Sequence, residues 1–148
     1  MKQKLLMMLA LSTLLGGYAL EEDASKKDLE KLQGDWAQVS MVVDGEKLPD
    51  DEAQALFRSI KGEQYTVFRF KKALGKGSFK IDATNKPRTI DALPVVAGQK
   101  LKPMLGIYEC DGAKLKLCFA RAGQPRPADF SAEKGSGQTL SVWEREKK

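Results

Sequence analysis

Four carboxylates stand where acid–base chemistry could use them: Asp82, Asp91, Glu109 and Asp111. Asp82 and Asp111 sit beside turn signals, which account for them without catalysis. Glu109 falls mid-strand beside Tyr108. Pointing inward it would be costly to desolvate and would mark a site; pointing outward it is a surface charge. The 148-residue chain contains no histidine, which removes Ser-His-Asp and Cys-His catalysis and every zinc site built on imidazole. With no convergent acid–base set, the sequence predicts a protein that is not an enzyme and holds no cofactor and no metal.

The two cysteines, Cys110 and Cys118, flank the clearest hairpin in the chain. If Asp111-Gly112 is a two-residue turn, Cys110 faces Ala113 and Cys118 faces Leu105. The odd offset between 105 and 110 then puts the thiols on opposite faces. A three-residue loop restores the face but leaves the two about 13 Å apart along the strand, beyond the ~7 Å between Cα atoms that a disulfide spans. Two free thiols are expected, and with no histidine beside them neither is a candidate nucleophile.

Charged residues make up 30% of the chain and hydrophobic ones 42%, the balance of one globular domain rather than a disordered segment. Residues 1–19 read as a signal peptide: Lys2 and Lys4, an apolar run from Leu5 to Leu15, then Gly17 and Ala19 at −3 and −1 of a cleavage site. The run is shorter than the ~20 residues a membrane-spanning helix needs. Cleavage after Ala19 also removes two lysines, taking the net charge from +5 to +3. An exported protein, periplasmic or extracellular, is expected. The lysines from Lys71 to Lys116 are scattered, several at every second position as on a wet strand face, which points away from nucleic acid.

Residues 20–28 read as a polar linker, with one or two helical turns within Ser25 to Gln33. From residue 29 to 148 the chain reads as one domain of about eight short strands. Leu115, Leu117 and Phe119 alternate with Lys114, Lys116 and Cys118, one face buried and one wet. Asp50 to Arg58 is the best internal helix, with acidic residues in its first turn. Val95 to Pro103 and Ala122 to Gly137 read as loops. In the strand around Tyr65, either Tyr65 and Val67 or Phe68 and Phe70 face inward. Short strands with regular turn signals suggest a barrel or a sandwich.

Several segments together carry a family likeness: Leu32-Gln33-Gly34-Asp35-Trp36, Val43-Asp44-Gly45, Lys86-Pro87 with Thr89-Ile90-Asp91, Gly106-Ile107-Tyr108-Glu109, Leu115-Lys116-Leu117-Cys118, Arg126-Pro127 with Phe130, and Gly135-Ser136-Gly137. In order and spacing the chain resembles a family of small exported lipocalin-like domains, abundant in planctomycete bacteria, whose function is unknown. The resemblance implies an all-β fold with one short helix, a small antiparallel barrel of the lipocalin or calycin kind. It also implies a Trp36–Arg145 pair closing one end, the guanidinium over the indole. Such a barrel is just wide enough for side chains or one small ligand. Trp36, Tyr65, Phe79, Ile81, Tyr108, Leu117 and Phe119 are therefore either core or pocket. Arg126 or Arg69 would be the polar handle, and Phe130 would sit in the long loop. Two functions follow: binding a small apolar or amphipathic ligand, or, with a filled barrel, contacting proteins or the envelope. A cavity of roughly 300 Å³ or more favours the first.

Overall fold

The structure, a computed structural model, describes residues 15–147. Residues 1–14 of the expected signal peptide fall outside them, and 15–19 lie within the first helix. Ten antiparallel strands form one sheet, and eight of them close on themselves as a barrel. In chain order the elements are α1 (Leu15–Leu32), β1 (Gly34–Val43), β2 (Glu46–Lys47), α2 (Asp50–Ala53), β3 (Leu56–Lys61), β4 (Gln64–Arg69), β5 (Lys72–Asp82), β6 (Arg88–Val96), β7 (Gln99–Lys100), β8 (Met104–Cys110), β9 (Lys114–Phe119) and β10 (Thr139–Arg145). Around the wall the order is β1, β3, β4, β5, β6, β8, β9 and β10, and β10 pairs back onto β1. The short β2 and β7 extend hairpins beyond the wall.

Three expectations change. The segment read as a helix from Asp50 to Arg58 is helical only to Ala53. Leu56 onward is strand, because it has a neighbour on each side, Arg58 pairing with Trp36 and with Val67. The loop expected from Val95 to Pro103 holds the β6–β7 hairpin, and β6 runs through Pro94. Residues 20–28 belong to a continuous helix. Ser25, Asp28, Leu29 and Leu32 fall at the spacing of one helix face. That face meets the barrel: the Ala83 N–H donates to Ser25 Oγ at 3.1 Å, and Leu32 is buried.

The interior follows from alternation. Tyr65 and Val67 point inward, settling the ambiguity in β4: Tyr65 packs against inward Phe79, with ring centroids 6.5 Å apart. Two inward glycines make room for rings. A Cβ on Gly77 would lie 2.8 Å from the Tyr65 hydroxyl, and one on Gly106 would lie 2.5 Å from the Phe119 ring. Trp36, Tyr108, Leu115 and Leu117 fill the rest of the centre.

Candidate functional site

The end closed by α1 is built around Arg145. Its guanidinium lies 4.3 Å from the centroid of the Trp36 ring. It donates from Nη2 to Lys31 O and from Nη1 to Gln33 O, both at 2.6 Å, and from Nε to Gly112 O at 2.7 Å. The Trp36 indole donates to Leu32 O at 2.9 Å. The last carbonyls of α1, which helix geometry leaves without partners, are thus taken up by a cation and an indole. Gly34 (φ 109°) ends the helix, and a Cβ there would lie 2.8 Å from Arg145 Nη1. Beside this pair the buried Asp28 carboxylate accepts from the Tyr108 hydroxyl at 2.7 Å and lies 3.3 Å from Arg88 Nη1. Burial, with Asp28 second, pushes the Tyr108 phenol well above its ordinary range.

Of the nine residues expected to line a ligand site, Trp36, Tyr65, Phe79, Ile81, Tyr108, Leu117 and Phe119 share the interior. Arg126 and Phe130 do not join them. Phe130 packs under Lys116 Nζ, 5.2 Å from its ring centroid, on the outer wall. Arg126 Nη1 donates to Gly106 O at 2.7 Å and lies 2.7 Å from Asp91 Oδ1, strapping the long loop to the outside of β6 and β8. The loop therefore covers the wall rather than the mouth. Arg69, the other expected handle, is exposed at the end away from α1.

The interior space left over is small. Between Arg58, Tyr65, Phe79, Ile90, Leu117 and Phe119 the void is about 10 Å³, about enough for one water. Arg58 is the residue that sequence reasoning missed. Its guanidinium lies 4.8 Å from the Trp143 ring centroid and 5.1 Å from that of Tyr65, and its Nε is sealed from solvent without a hydrogen bond. Burial pulls its pKa down to about 10. Gln38, the register partner of Trp143, has an equally sealed Oε1 without a partner. The missed signal was the alternation Leu56-Arg58-Ile60, visible only once the segment is read as a strand.

The remaining candidates have structural roles. Glu109 is exposed, 3.6 Å from Lys116 Nζ. Asp82 is held low by the Thr84 side chain and backbone, and Asp111 by the N–H groups of Lys114 and Ala113, as turn carboxylates are. Cys110 and Cys118 are on opposite faces of the β8–β9 hairpin. The register pairs Cys110 with Leu115 and Cys118 with Ile107, two residues away from the pairing expected. Burial raises both thiols. A surface groove of about 610 Å³ runs beside the 83–88 turn. Among its lining residues Lys116 pairs with Glu109, and Lys114 pairs with Glu144 beside it. The chain matches no protein-family model, no curated protein and no solved structure.

Proposed function

We propose that this is an exported, non-catalytic interaction module: a lipocalin-like barrel with a filled interior that works through its outer surface. The observation that carries the reading is the interior void of about 10 Å³, far below the roughly 300 Å³ at which ligand pockets begin. The turn roles of Asp82 and Asp111, the exposed Glu109 and the lack of histidine support a non-catalytic protein. The family likeness and the leader-like first 19 residues support export. A second reading rests on one observation, the sealed and unpaired Arg58 Nε: a small anionic or amphipathic ligand could enter if the rings around it moved. Native mass spectrometry of the protein purified from its host's envelope tests both. A bare folded mass is expected. A reproducible extra mass, lost on denaturation, would replace the module with a carrier.

A further inference from the structure

At the end of the barrel away from α1, the β4–β5 and β6–β7 hairpins project side by side. Lys76 pairs with Val95, and Val95 with Lys100. A Cβ on Gly75 would lie 3.8 Å from Val96 Cγ2. Four large apolar side chains are left in solvent here: Phe70 at 77% exposed, Leu74 at 50%, Leu101 at 48% and Val96 at 44%. Leu74 sits where the β4–β5 register shifts, in a bulge. Exposed apolar groups gathered in one place mark an interaction site more often than scattered ones do.

The charge around them has one sign. Arg69, Lys71, Lys72, Lys76, Lys100 and Lys102 lie on or just beyond the same two hairpins, and residues 64–81 and 92–108 contain no Asp or Glu. Among the described residues none of the six pairs with a carboxylate. The backbone is also committed to this arrangement. Phe70 (φ 48°) and Lys71 (φ 64°) both occupy the left-handed region, which hairpin turns normally fill with Asn-Gly or Asp-Gly. Strain held by bulky residues at a loop tip is a mark of function.

We propose that this end of the barrel docks on an anionic lipid surface, with Phe70, Leu74, Val96 and Leu101 entering the headgroup boundary and the six cations meeting the lipid phosphates. The inference rests on the reading that the outer surface is the working one. Lipid is favoured over an acidic protein by the shape of the site: two tips at one end of a barrel meet a flat surface together, and they carry apolar groups and cations side by side.

The test is co-sedimentation with vesicles of phosphatidylglycerol and phosphatidylcholine, set against pure phosphatidylcholine. The protein and its variants are expressed in the host and purified from its envelope. Binding to the anionic vesicles alone is expected, weakening as salt rises towards ~1 M. K71Q/K72Q/K100Q should lose on the order of 100-fold in affinity, and F70S on the order of 10-fold, with unchanged unfolding midpoints because these positions are exposed. F70W should be quenched by brominated acyl chains. Failure to bind, equal binding to neutral vesicles, binding indifferent to these substitutions, or F70W binding without quenching would each overturn the proposal. So would capture by polyglutamate that is lost in K71Q/K72Q/K100Q while vesicles are ignored; that result assigns the site to an acidic protein. A bare native mass without vesicle binding overturns this inference alone, whereas a bound interior ligand overturns the filled-barrel reading alone.

Discussion

The two ends of the barrel follow opposite rules. At the α1 end, the charged groups of the helix clasp have partners: Asp28 has Tyr108 and Arg88, and Arg145 has three carbonyls and the Trp36 ring. At the hairpin end, apolar side chains stand in water, the six cations pair with no carboxylate among the described residues, and Phe70 and Lys71 hold a strained turn. The first arrangement is what selection for stability alone would give, and the second is not. Proteins commonly hold such local costs where they act.

Trp36→Ala should break the stable end most severely. It empties the centre of the core and removes the support for Arg145, and a loss of about 4 kcal/mol is expected in urea unfolding. Arg145→Met should cost about 3 kcal/mol, because it strands the α1 carbonyls and removes the stacking on the indole. Arg145→Lys should recover little of this, since one ammonium cannot span three carbonyls as the guanidinium fork does. Tyr108 sharpens the contrast through pH. Its folded-state pKa is raised above the ordinary 10, so its contribution is intact below that pH. Above it the unfolded chain ionises and the folded chain does not, and stability falls by about 1.4 kcal/mol per pH unit. Arg58, lowered to about 10, works with the opposite sign: it sheds its proton first in the folded state, which relieves its burial cost as pH rises. The Tyr108 effect is therefore read as the difference in pH slope between wild type and Tyr108→Phe, the variant falling less steeply because only the raised Tyr65, Cys110 and Cys118 groups remain. The smallest effect belongs to the hairpin end. Replacing Phe70-Lys71 by Asn-Gly should raise stability by about 1 kcal/mol by relaxing the turn, while weakening vesicle binding. A gain in stability together with retained binding would mean that the strain serves no function.

The barrel was legible where a strand has one wet face. β9 shows its alternation openly, and the inward places of Leu115, Leu117 and Phe119 follow from it. β3 was not legible. Its approach, Asp50 to Ala55, is made of helix formers, and only its neighbours β1 and β4 hold Leu56–Lys61 extended, which is tertiary context overriding local preference. Losing β3 hid Arg58 as well. Arg126 and Phe130 were expected at the ligand site because a loop carries no periodicity to say which surface it crosses. The hairpin end escaped notice because lysines at alternate positions look like any solvated strand. Only the pairing of β5 with β6, and of β6 with β7, brings Lys76 and Lys100 to either side of Val95, and only the turn geometry brings Phe70 out of the wall.

The Arg145 clasp also sets an order of events for a growing chain. The carbonyl it takes from Gln33 lies 112 residues earlier, and β1 meets its second neighbour only in β10. Until residue 145 has been synthesised, β1 has one open edge and α1 has unsatisfied carbonyls, so the barrel cannot latch. Contacts of such long sequence separation form slowly. The nascent polypeptide therefore stays threadable until β10 has been made and locks only once that closing strand is free.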